Sequence, residues 1–396
     1  MRSQFYQTFN PNGPDMLKKR LLTGLAAVAM LVPLAGCSLF TGTEAHAPAE
    51  LTPVVPQVAI NTVWHTNVGA SVNGLLTPVL VDGALYAAGD QNLYRLDPAT
   101  GQVLWKSSTG AKISAGVGAD GLNEAVVTVD GVLHVFDKEG KETWKATLST
   151  DAQEPPLVGM GKVIVKTSDA RIMAFDATTG QRLWMHAAQV PPLTLRVFKG
   201  MAFAPAGILV GQANGRLLAL GLDGKVVFDL TIANPSGITE VERLVDIVGR
   251  PWVDAELMCL SAFQGEAVCL NAHNAQTVWA QKVDAVSGVV GHGALMYVVD
   301  SKGTVHAYLR QNGKEIWHNN ALTYRSVSTP QGIGPNIAVG DYEGVISVID
   351  ADTGHFIART KLSGAISAPA VGYDNGAIFQ TSTGELAFLK ESPLKK

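Results

Sequence analysis

The sequence predicts an all-β protein: an eight-bladed β-propeller of four-stranded blades, its ring closed by strands from both ends of the chain. Three observations carry this. A unit Asp-x-x-Thr-Gly-x-x-x-Trp recurs, most clearly from Asp97 through Gly101 to Trp105 and from Asp176 through Gly180 to Trp184, with a third copy at Asp350, Thr353 and Gly354. Short β-branched and aromatic runs, broken by Gly, Asp and Asn, precede most copies, which is the pattern of strands joined by tight turns. The Trp position returns at 64, 105, 144, 184, 228, 279, 317 and 358, with Phe228 and Ala358 standing in for Trp. The period is therefore about 40 residues, the size of one blade.

Composition agrees with a folded body. The chain has 396 residues, 47% hydrophobic and 16% charged, which excludes a disordered chain. Its net charge is −4, and no basic run follows Lys18-Lys19-Arg20, so the footprint of a nucleic-acid binder is missing. Three cysteines, none in C-x-x-C spacing, make neither a disulfide scaffold nor a zinc site.

In chain order, residues 16–37 read as a secretory signal. A basic start is followed by an apolar stretch too short to span a membrane. Residues 1–15 do not fit a signal, so translation is expected to start at Met16. Leu34-Ala35-Gly36-Cys37 resembles the bacterial lipobox, which implies a signal peptide over 1–36 and acylation of Cys37. Ser38 after that Cys implies export to the outer membrane, where Asp would imply retention at the inner one. Loss of Arg2, Lys18, Lys19, Arg20 and Asp15 with residues 1–36 takes the charge from −4 to −7. An acidic body does not adhere to anionic lipid, so attachment is expected through the acyl chains. Residues 37–58, rich in Ala, Pro, Thr and Glu, are expected to be the lipidated Cys and a flexible tether. The propeller is then expected over 59–391.

Each blade reads as strand, turn, strand, then the Asp-x-x-Thr-Gly turn and the Trp strand. In the first, Ala84–Ala88 and Leu93–Leu96 precede the turn at Asp97. Asp and Thr bind local backbone in that turn, and Gly accepts positive φ. A blade cannot bury its faces alone, so each Trp is expected to wedge against a neighbour. The strand at Trp64 lacks predecessors, and the strands at 377–380 and 385–389 lack a successor. The two ends are therefore expected to build one blade, which removes the open sheet edge.

Spacings between Trp positions are 41, 39, 40, 44, 51, 38 and 41. The two longest flank Phe228, and their excess falls in residues 185–200 and 231–252. Extra length in a repeat protein maps to loops, often on the binding face. Leu193, Leu195 and Arg196 combine apolar anchors with a charged donor, a common hot-spot composition. Leu193 and Leu195 also alternate with Thr194, as strand residues of the fourth blade would. Asp246 reads equally as a contact or as a turn and salt-bridge residue.

The unit Asp-x-x-Thr-Gly-x-x-x-Trp resembles the repeat of pyrroloquinoline-quinone dehydrogenases. Those enzymes hold quinone and Ca²⁺ in the central funnel and carry an adjacent Cys-Cys pair, which this sequence lacks. Over its whole mature length the chain resembles the BamB family, lipoproteins of the outer-membrane β-barrel assembly machinery. The lipobox, tether, eight repeats, Pro191-Pro192-Leu193-Thr194-Leu195-Arg196 and Glu242-Arg243-Leu244-Val245-Asp246 carry that resemblance. It implies a non-catalytic scaffold without cofactor, lipid-anchored at the periplasmic face of the outer membrane. It also implies docking to the POTRA domains of BamA through Leu193, Leu195, Arg196 and Asp246, alongside other BAM subunits and unfolded barrel clients. The family's second acidic position is Val248 here. The readings set against this one are a periplasmic quinone-dependent dehydrogenase and a peptide- or glycan-binding propeller.

Cys259 and Cys269 lie at nearly equal distance from Gln264 at a hairpin turn. They would face each other, as a disulfide in an oxidising compartment or as two buried thiols. The nine His show no metal-ligand spacing; His306 alternates within an apolar strand.

Overall fold

A computed structural model describes residues 46–188 and 193–394. The signal, the lipobox and Cys37 lie outside the described residues. Among the described residues thirty-two strands form eight four-stranded antiparallel sheets, one per blade. Blade 1 runs from Val79–Val81 to Val103–Ser108, blade 2 from Ile113–Ala119 to Glu142–Thr147, and blade 3 from Leu157–Gly159 to Arg182–Ala187. Blade 4 runs from Met201–Ala204 to Val226–Thr231, blade 5 from Ile247–Val253 to Thr277–Val283, blade 6 from Val290–His292 to Glu315–Asn319, and blade 7 from Gln331–Ile333 to Phe356–Lys361. Blade 8 joins Val371–Tyr373, Gly376–Gln380 and Glu385–Pro393 to the amino-terminal strand Val58–Asn67. That last pairing runs from Val58 opposite Pro393 to Asn67 opposite Glu385 and closes the ring.

The repeat explains how blades join. In the turn at Asp176, Oδ1 accepts the N–H groups of Thr178 and Thr179, and Gly180 takes φ 71°. The outer strand of every blade then carries a register shift just before the Trp position, such as that between Ala174 and Phe175, where Trp184 is reached. Such a bulge re-aims the side chain that follows it. Each Trp at a repeat position lies on the turn glycine of the next blade, and its indole N–H donates to a carbonyl of that turn. Trp64 reaches Pro98, Trp105 reaches Lys138, Trp144 reaches Ala177, Trp184 reaches Leu222, Trp279 reaches Arg310 and Trp317 reaches Ala351, at 2.8–3.0 Å. A Cβ on Gly180 would stand 2.7 Å from the Trp144 ring, so the wedge requires glycine.

The two exceptions have structural reasons. Phe228 meets blade 5, whose turn ends in Ala275 rather than Gly, and the two share one apolar cluster. Ala358 meets blade 8, whose last two strands come from opposite ends of the chain, so no turn is present for an indole to dock on. Val58 and Ile60 instead pack against a separate apolar cluster that contains Ala358.

One expectation is corrected. Residues 46–57 do not form a free tether but lie along blades 6 and 7. The His46 ring stacks on Tyr324 at 4.5 Å, Ala49 N–H donates to Thr323 O at 2.9 Å, and Gln57 N–H donates to Ile357 O at 2.8 Å. Leu51 packs into the apolar cluster around Tyr297 and Trp317. Its composition suggested a linker, but its backbone finds partners on the blades.

Candidate functional site

The two over-length segments are both connections from the outer strand of one blade to the inner strand of the next. One joins blades 3 and 4; the other joins blades 4 and 5. They converge on a cavity of about 310 Å³ lined by Leu193 from the first and by Pro235, Glu240, Arg243, Leu244 and Asp246 from the second.

In the first loop Leu193 is 44% exposed, and Thr194 and Arg196 are exposed too. Leu195 turns inward and packs with Val197 on the blade 5 cluster around Val248, Cys259 and Trp279. Neither leucine lies in a strand, so the alternation around Thr194 reflects a loop with one side against the body. Lys199 bridges to Gly249, which ties the end of the loop to blade 5.

Asp246 is not a surface contact. Its side chain is 1% exposed, and Oδ2 accepts the N–H of Leu195 at 2.6 Å and Lys199 Nζ at 2.7 Å. It holds the first loop from behind. Sequence could not decide this, because its partners are 51 and 47 residues away. Val248, at the position where the family often has a second acid, is buried in blade 5. Beneath the first loop a second pair, Lys166–Glu154, lies at 2.7 Å with both side chains about 10% exposed, and Lys166 also donates to Gly211 O.

The second loop carries residues that the sequence reading missed. Ile238 is 98% exposed and Val241 65%. Their turn is fixed by a capping box: Glu242 Oε2 accepts the N–H groups of Ile238 and Thr239, while Thr239 Oγ1 accepts the N–H of Glu242. These hydrogen bonds hold the Glu242 carboxyl below the usual carboxylate range. The available signal was Thr239-x-x-Glu242 inside an insertion, with apolar residues beside it. Apolar side chains on a rigid turn next to an exposed Arg suit recognition of another protein.

Cys259 and Cys269 stand directly opposite in register, with Cα atoms 4.1 Å apart and their sulfurs joined. His306 reaches Asp300 at 3.4 Å and Glu315 at 3.1 Å.

The fold defines a PQQ-like-repeat propeller whose two over-length loops meet on one outer face. A family described as outer membrane protein assembly factor BamB matches over residues 89–319. An outer membrane protein assembly factor BamB of Bordetella pertussis is 35% identical, the match covering 94% of this chain and 97% of the relative. The chain belongs to the BamB family. The crystal structure of BamB from Moraxella catarrhalis superposes with a TM-score of 0.76 at 24% identity, covering 84% of this chain and all of that one. A quinohemoprotein alcohol dehydrogenase from Pseudomonas putida superposes at 0.65 with 13% identity, covering 87% of this chain and 77% of that one, which shows a shared fold.

Proposed function

We propose that this chain is a non-catalytic scaffold of the outer-membrane protein assembly machinery, anchored through acylated Cys37 and facing the periplasm. It docks the POTRA domains of BamA and assists insertion of β-barrel proteins. The observation that carries the reading is the convergence of both over-length loops on one cavity, with Leu193 and Arg196 facing out and Asp246 bracing the loop from inside. The relatives' names supply the assembly role, and the lipobox supplies the anchor. A signal-bearing propeller retained at the outer membrane meets BamA from the periplasmic side.

Arg196→Ala is expected to weaken capture of BamA POTRA domains by about 1–3 kcal/mol, as for a desolvated anchor. Folding is expected to change by less than about 0.5 kcal/mol, because the side chain is exposed. The control is Lys138→Ala, in a turn of ordinary length whose Lys side chain is 55% exposed. Equal capture by the two variants overturns the docking face. Cys37→Ala should release the protein from membranes; unchanged attachment overturns the anchor.

A further inference from the structure

Blade 5 breaks its inner strand at the centre of the ring. Its ladder holds at Val248 opposite Ser261, fails, and resumes at Trp252 opposite Cys259. Gly249, Arg250 and Pro251 therefore bulge out, and a bulge re-aims what it carries. Gly249 takes φ 72° and donates its N–H to Phe198 O at 2.8 Å, and Gly200 donates to Gly249 O at 3.1 Å. Together these bonds aim Arg250 at a central cavity of about 440 Å³, lined by inner-strand residues of blades 1, 5, 6, 7 and 8 and by Phe198. The Arg250 side chain lies close over Gly200, where a Cβ would stand 3.2 Å from Nε.

Among the described residues Arg250 is the only charged member of that lining. It is exposed to the solvent of the cavity, and no carboxylate stands among the described residues of the lining to pair with it. Pro78, Pro251, Pro330 and Pro369 stand on the same wall and have no N–H to donate. The wall is thus mostly apolar, with Thr77, Thr329 and Gln331 as its uncharged polar side chains and with Trp252 and Phe198 beside a single cation that no carboxylate of the lining pairs.

We propose that the central cavity binds an organic carboxylate with an apolar body, anchored by Arg250 and packed on Trp252 and Phe198. A guanidinium presents a planar fork of donors that matches a carboxylate. A concave apolar site with few polar groups is the usual form of a small-ligand pocket. An inorganic anion would satisfy Arg250 but leave the apolar wall against water. The carboxylate comes either from a free small acid or from the end of a peptide. This site is separate from the docking loops' outer cavity, and either reading survives failure of the other.

The test is a titration of the full folded chain, read by NMR at the Trp252 indole N–H and the Arg250 Nε–H. The probes are N-acetylphenylalanine, its amide, inorganic phosphate, and a short peptide ending in phenylalanine with a free carboxylate. The acid should give saturable shifts at both groups, and the amide should bind at least about tenfold more weakly. Arg250→Gln should abolish acid binding, and Arg250→Lys should retain part of it. Gly200→Ala should weaken it by displacing the guanidinium. Peptide binding assigns the source to a polypeptide end; acid binding with peptide exclusion assigns it to a small acid. Equal binding of acid and amide, or no saturable shift, overturns the proposal. Phosphate binding as tight as the acid overturns the apolar half of the site.

Discussion

Replacing Asp246 by Ala tests whether the loop that carries Leu195 is braced from inside. The carboxylate is 1% exposed and its partner Lys199 14%, at 2.7 Å. Removing one member of a buried pair typically costs about 3–5 kcal/mol, because the other charge is left uncompensated. Two features decide where in that range the effect falls. Lys199 lines a small polar pocket with Gln212 and Glu154, so its ammonium can recruit water. Asp246 Oδ1 has no hydrogen-bond partner among the described residues, so the native pair is only half satisfied. Both lower the loss, while the orphaned Leu195 N–H adds about 1 kcal/mol. The expected loss is about 3 kcal/mol, the lower end of the range. Urea unfolding measures it, and hydrogen exchange at the Leu195 amide reports on the loop directly. Asp246→Leu combined with Lys199→Met should recover most of the loss, since apolar replacement of both partners removes the stranded charge. If Asp246→Ala changes stability by under about 0.5 kcal/mol and leaves the Leu195 amide as protected as before, the bracing argument is wrong. POTRA capture should fall in Asp246→Ala together with stability, whereas Arg196→Ala lowers capture alone.

Further outcomes follow from the ring and from one buried acid. Glu124 is fully buried, and burial pushes its carboxyl up to about 7 against the lowering effect of Tyr86 and Arg95 beside it. Its folded pKa is raised, so its stabilising contribution is complete below about 4.5 and is lost as pH rises through about 7. Glu124→Gln should flatten that slope and unfold at higher urea than the parent at pH 8; an unchanged slope refutes this. Trp64 is 8% exposed in the closing strand and bonds Pro98 of blade 1. Trp64→Ala should cost about 3–5 kcal/mol in urea unfolding. A loss below about 1 kcal/mol would show that closure does not depend on the wedge.

The ring itself was legible because its chemistry is local and repeated. Asp176, Thr179 and Gly180 build their turn from neighbours in sequence, and Trp184 meets the next blade one period later, so a period of about 40 residues suffices to count blades. The substitutions Phe228 and Ala358 were visible as departures, but their reasons needed the partner turns. The over-length loops were visible for the same cause: a fixed period makes any surplus stand out.

The candidate site was legible as extra loop length, while the directions of its side chains were not. Sequence alone set the blade number, the closure by both ends and the two loops that carry extra length, since each depends on spacing or on contacts within one repeat. Tertiary structure decided that Asp246 points inward, that Leu195 is packing, that Ile238 and Val241 stand outward, that residues 46–57 lie on the blades, and that Arg250 faces the channel. Each of these turns on which distant segments the ring brings together. Asp246 meets Leu195 across 51 residues, and Arg250 is aimed by backbone bonds to Phe198 and Gly200 in another loop. A side chain's direction in an irregular loop follows from such partners and not from any period in the chain.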